Sequence, residues 1–225
     1  MRKIMEPGFY FIYLIFIIVA GIIMMTKLKS KKHLFIFGLA CVLLGFGDAF
    51  HLIPRAMGIF NGTLDNPDDK LNMLLGFGKL ITSVTMTLFY VCMYYFIYEV
   101  KNIQRKPWLD IVVYLLVIVR LILCLLPQNN WITNDSSLTI SIIRNIPFTL
   151  LGILVIVLSK IHLNDKPYKW LWLLIILSFG FYLPVVLFAS KASWVGFLML
   201  PKTICYIIIG VLGLVELKHS NNESA

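Results

Sequence analysis

Seven apolar runs, each about as long as a bilayer is thick, constrain this chain more than any other feature. They cover residues 8–26, 33–53, 72–98, 109–126, 139–159, 170–189 and 195–217. An α-helix rises 1.5 Å per residue, so roughly 20 apolar residues cross a hydrocarbon core about 30 Å thick. Inside that core every backbone N–H and C=O must bond within its own segment, which favours helices for runs of this length. The expected fold is therefore all-α: a polytopic membrane protein with seven transmembrane helices, forming a single domain over residues 1–225. Composition agrees, since 14% of the residues are charged against about 25% in soluble domains. The first run is too long for the h-region of a signal peptide, and no clear small-residue cleavage motif follows it. It is expected to stay as a helix.

A net charge of +9 would suggest nucleic acid as a partner of a soluble protein. Here the basic residues follow the connections between spans instead. Lys27, Lys29, Lys31, Lys32, Lys101, Arg105, Lys106, Lys160, Lys166, Lys169 and Lys218 fall on one side. Arg2, Lys3, Lys70 and Lys191 fall on the other, where the second loop, NGTLDNPDDK, is acidic. Cytoplasmic loops collect Lys and Arg, so the N-terminus is expected outside and the C-terminus inside, with the plasma membrane as the expected location. Trp108, Trp131, Trp170 and Trp194 stand at span ends, where amphipathic rings favour the interface. The partners expected are the lipid bilayer and no nucleic acid. Cys41, Cys92, Cys124 and Cys205 all lie inside apolar runs without a CxxC pair; they read as core residues, with no disulfide framework, metal spacing or cofactor implied.

Five basic residues do not fit the loops: Arg55, Lys79, Arg120, Arg144 and Lys202. On the expected topology, Lys79, Arg120 and Lys202 each lie about 10 Å from the outer end of a span, and Arg144 about 8 Å. Arg55 ends the stretch GFGDAFHLIPR, in which Asp48, His51 and Arg55 recur at helical spacing and share a face. Five spans thus carry ionisable groups at one depth. A charge at the bilayer centre costs about 2.5–3.5 kcal/mol on insertion scales, so these side chains are expected to face a common hydrated pocket. Asp48, with Glu6 as a second acid, leaves the pocket positively charged. The counter-charge expected is a small anionic ligand or a lipid headgroup, held by Arg120, Arg144, Asn145 and Lys202 with support from Lys79 and Arg55. Asp48 is expected to orient Arg120.

Two other readings use the same residues. In a membrane-embedded lipid-modifying enzyme, His51 oriented by Asp48 is a general base, and the cations stabilise an oxyanion or phosphate. In a structural protein, an Asp48–Arg120 ion pair staples two helices. A three-histidine zinc centre, as in hydrolases of the alkaline ceramidase type, is excluded on the expected topology, because of His33, His51, His162 and His219 only His51 reaches the site depth. A lysine in the seventh span is similar to that of retinal-binding rhodopsins, but no Arg-x-x-Asp arrangement in the third span supplies a counter-ion. GFGKLIT in the third span echoes GFLMLPKTI in the seventh. That echo, with the helix count, resembles the repeated halves of sugar-transporting SWEET proteins, although Pro127-Gln128 stands at the end of the fourth span.

Overall fold

The computed structural model describes residues 2–27, 31–188 and 193–222, all of them helical or in connections. Seven long helices form: α1 (Arg2–Lys27), α2 (Lys32–Asn61), α3 (Asp69–Lys101), α4 (Pro107–Leu125), α5 (Leu138–His162), α6 (Leu171–Phe188) and α7 (Met199–Asn222). All seven are long and apolar enough to cross a membrane. Each expected span lies within or largely within one of them, and α2 and α3 continue past the apolar run at their ends. Lys29 and Lys191, counted above among the loop cations, lie outside the described residues.

Local chemistry sets the helix ends. Asp68 accepts a hydrogen bond from the Leu71 amide at 2.9 Å and starts α3, and Ser137 does the same for Ile140 at the start of α5. Gly62, at φ 70°, ends α2 in the left-handed conformation that glycine adopts without strain. Pro107 opens α4 and Pro127 follows its end.

The helices α1, α2 and α3 pack as successive neighbours, as do α5, α6 and α7. α3 meets α5, and α7 returns to α1, which closes a ring of six helices. α4 lies outside this ring, against α3 and α5. Its outer face exposes Ile111, Leu115, Ile118, Ile122 and Leu125, a surface suited to acyl chains. Arg120 points the other way and is buried.

The α2–α3 contact is the most extensive in the bundle, and proline chemistry helps explain it. Pro54 has no N–H for the Phe50 carbonyl four residues earlier. Gly78 of α3 sits against that carbonyl, so closely that a Cβ there would lie 2.3 Å from the Phe50 oxygen and 2.7 Å from the His51 Cα. Both obstacles are backbone and cannot swing aside. Gly78→Ala is therefore expected to destabilise the protein by about 1–3 kcal/mol, read as a lower melting temperature in detergent. An unchanged melting temperature would mean that the two backbones do not approach this closely.

The end of the bundle near the 102–106 and 163–167 connections is filled. Phe37, Phe96 and Tyr168 pack ring against ring, with centroids 4.8–5.4 Å apart. Around them Lys32 pairs with Glu99 at 2.5 Å and His33 stands 3.7 Å from Glu216. Lys101 hydrogen-bonds the exposed Asp165 and holds its carboxyl below the usual range. The opposite end is open.

Candidate functional site

A chamber of about 450 Å³ opens among α2, α3, α5, α6 and α7, with Arg120 reaching it from α4, at the end of the bundle that carries the 126–137 connection. Helix register gives its depth. On α3 the wall runs from Lys79 at the mouth to Tyr90 on the floor, eleven residues or about 16 Å apart. Asn134, Asp135 and Ser136 border the mouth. Tyr90, Phe148 and Phe179 make the floor, with centroids 5.3–5.5 Å apart. The hydroxyl-bearing side chains of Tyr90, Ser178 and Tyr206 converge beside them.

Four of the five out-of-place cations line this one chamber: Lys79, Arg120, Arg144 and Lys202. Three of them are almost wholly removed from the surface, with 1% of Arg120, 5% of Lys202 and 8% of Arg144 exposed. None of the three has a carboxylate in direct ion contact among the described residues. Instead the protein surrounds them with aromatic faces and neutral acceptors. Arg120 lies over the Phe148 ring at 5.1 Å and donates to the Arg144 carbonyl, tying α4 to α5. Arg144 lies 4.5 Å over the Trp131 ring and donates to Asn129 Oδ1 at 2.5 Å. Lys202 stands between the rings of Tyr182, at 4.9 Å, and Tyr206, at 5.4 Å. Such contacts contribute about 0.5–2 kcal/mol each, which lessens the desolvation cost of a buried cation without neutralising it. The Nε donors of Arg120 and Arg144 and the Nδ1 of His51 are buried and have no hydrogen-bond partner. Lys79 is held at the mouth by Asn134 Oδ1 at 2.6 Å.

Arg55 does not join the chamber. It turns toward α1, where it pairs with Glu6 at 3.1 Å and hydrogen-bonds the Tyr10 hydroxyl at 3.1 Å. Glu6, expected as a second acid of the pocket, belongs to that separate cluster. Asp48 does not meet Arg120: its Oδ2 accepts from the Tyr13 hydroxyl at 2.7 Å, and its charge reaches Lys202 without a direct ion pair. α4 packs on α3 and α5, out of reach of an α2 staple. Asp48 also makes no hydrogen bond to His51, so the oriented acid–imidazole pair is not formed, although His51 does line the chamber. Asn145 sits just behind the wall, where it accepts from Tyr182 at 2.9 Å and donates to the Ser141 carbonyl at 2.7 Å. Its task is to fix Tyr182 beside Lys202.

The main addition comes from the 126–137 connection. Asn129 donates to the carbonyls of Leu123, Cys124 and Leu126 at 2.8–3.3 Å, closing the exposed end of α4. Trp131 Nε1 donates to Cys124 at 2.8 Å. The segment presses so hard on α3 that a Cβ on Gly76 would sit 1.7 Å from the Trp131 carbonyl oxygen. This strap supplies the acceptor and the ring that hold Arg144 and the amide that holds Lys79. Trp131 thus stands beside Arg144, behind the chamber lining. Trp108 and Trp170 are exposed at helix ends.

Lys79 and Lys202, the two lysines of the internal echo, line the same chamber. No protein-family model matches the chain, and no curated protein or solved structure matches it either.

Proposed function

We propose that this integral membrane protein binds a small anion or an anionic lipid headgroup in its intramembrane chamber, as a sensor or transporter. One observation carries the reading. Lys79, Arg120, Arg144 and Lys202 border one cavity whose lining holds a single carboxylate, Asp135, at the mouth. Buried cations without counter-charge are costly, and the aromatic and amide partners around them leave N–H donors unused. A bound anion supplies both the charge and the acceptors. The guanidinium groups suit bidentate contact with its oxygens, and the lysines act as point charges.

In this reading the seven helices act as a single domain of the plasma membrane, with the N-terminus outside and the C-terminus inside, as the bias of basic loop residues favours. The chamber then faces outward, and its ligand enters from the outer side. The filled aromatic end around Phe37, Phe96 and Tyr168 supports access from one side in this conformation.

Native mass spectrometry of the detergent-purified protein tests the reading. The wild type is expected to carry an anionic adduct that Arg144→Gln loses, with at least about a tenfold fall in occupancy, since charge-assisted hydrogen bonds contribute about 1.5–3 kcal/mol. A wild type with no adduct, and with no thermal stabilisation by any added phosphate, sulfate or carboxylate, would remove the proposal.

A further inference from the structure

Resting on the reading of the chamber as an anion site, we propose that its ligand is a phosphate monoester: a dianionic head on an apolar or aromatic body. Charge, crowding and volume each point to this class.

The lining carries four cations against one carboxylate at the mouth, and with Asp48 behind Lys202 counted as a second acid the excess is still about two, which one negative charge does not balance. Three of the cations crowd together, and Lys202 lines the same chamber from α7. The Arg144 charge acts on both Arg120 and Lys79. Tyr182, whose ring lies under the Lys202 ammonium, is within the same range of Arg144. A phosphate monoester concentrates its charge, about −1.5 to −2 at neutral pH, on three oxygens of one group. A dicarboxylate spreads the same charge over two groups and does not match so compact a cluster. The free donors fit a tetrahedral oxyanion, because the Nε atoms of Arg120 and Arg144 are buried and unpaired and the Lys202 ammonium is buried between two tyrosine rings.

The head alone leaves most of the space unfilled. A chamber of about 450 Å³ falls in the range of about 300–1,000 Å³ that takes drug-sized ligands, whereas inorganic phosphate is the size of a few water molecules. Below the cations lies the floor of Tyr90, Phe148 and Phe179 rings. Arg120 sits over Phe148, so the charged and apolar regions adjoin. A ligand that satisfies both carries its phosphate next to an apolar body. A soluble aryl or alkyl phosphate has this chemistry, and so does a lipid phosphate.

The test is isothermal titration of the full-length protein in neutral detergent with four probes: phenyl phosphate, phenyl sulfate, inorganic phosphate and a single-chain lysophosphatidate. Phenyl phosphate is expected to bind at least about tenfold more tightly than phenyl sulfate, which has the same body and one charge fewer. It is also expected to exceed inorganic phosphate by about tenfold. Lys202→Met is expected to bring the phosphate-to-sulfate ratio toward one. Lysophosphatidate binding more tightly than phenyl phosphate supports the class and identifies a lipid source; the reverse order supports the class with a soluble source. Equal affinities for phenyl phosphate and phenyl sulfate would overturn the dianion and leave the anion site standing. Equal affinities for phenyl phosphate and inorganic phosphate would overturn the organic body. Binding of none of the four overturns the proposal, and native mass spectrometry then decides separately whether any other anion occupies the chamber.

Discussion

Lys202→Met is expected to make the protein more stable in detergent while it loses its ligand. The ammonium is buried, stands between two tyrosine rings and has no carboxylate in direct contact. Replacing a whole buried ion pair by apolar side chains is often neutral or stabilises by about 1–4 kcal/mol, and the penalty for removing one partner comes from the charge left stranded. Removing Lys202 strands no direct partner, since Asp48 keeps its hydrogen bond from Tyr13. The lost cation–π contacts offset about 0.5–2 kcal/mol of that gain. The net expectation is a gain of about 1 kcal/mol, or a melting temperature higher by about 2–4 °C for a chain of this size. Binding moves the opposite way. Removing one partner of a desolvated charged contact costs about 2–5 kcal/mol, which is a loss of affinity of about thirtyfold or more. The opposed signs are the diagnostic result, because a side chain kept for folding loses stability when it is removed. A lower melting temperature for Lys202→Met with anion affinity unchanged would show that the ammonium is a structural counter-charge to Asp48. Asp48→Asn separates the two cases. It keeps an acceptor for Tyr13 and removes the charge behind Lys202, so anion affinity is expected to hold or rise.

The seven helices and the depth of their charges were legible in the sequence because both follow from one-dimensional rules. Run length against bilayer thickness marks a span, and residue count along a helix marks a depth. Those rules brought Lys79, Arg120, Arg144 and Lys202 to a common level, and the same four residues line one chamber. Depth does not give direction around a helix axis, and there the reading of Arg55 departed from the structure. Arg55 shares the depth of the others yet turns to Glu6 and Tyr10 on α1. Pairwise partners were equally out of reach. Asp48 and Arg120 are the obvious opposite charges, but α2 and α4 are not neighbours, and a tyrosine hydroxyl takes the carboxylate. Tyr206 carried a signal that was open to use, since it stands four residues from Lys202 and so on the same helix face. Tyr182 carried none. Neither did Asn129 and Asn134, because a turn outside a helix has no period from which to read a facing. The path of that turn is set by helix-end carbonyls that a sequence does not display.

That turn is where the largest loss of stability is expected. Asn129→Ala removes an amide whose two hydrogens are shared among the Leu123, Cys124 and Leu126 carbonyls, and the acceptor for the Arg144 guanidinium. A neutral hydrogen bond contributes about 0.5–1.5 kcal/mol net, and one to a charged group about 1.5–3. Asn129 is fully buried, so the abandoned carbonyls and guanidinium gain no water in return. Allowing for partial relaxation, the expected cost is about 3–5 kcal/mol, at the upper end for single substitutions. Trp131→Phe serves as the calibrating variant. It gives up the indole bond to the Cys124 carbonyl but keeps an aromatic face under Arg144, and about 1 kcal/mol is expected. Asn129→Asp extends the series to function. It keeps an oxygen toward Arg144 and adds a negative charge beside it, so an internal counter-ion competes with the ligand and anion affinity is expected to fall at least tenfold. Thermal unfolding in detergent ranks the first two variants, and titration with phenyl phosphate reads the third. Should Asn129→Ala prove no more damaging than Trp131→Phe, the strap does not hold Arg144 in place. The guanidinium would then owe its position to Arg120 and the aromatic faces of the chamber, and Asn129→Asp would leave the affinity unchanged.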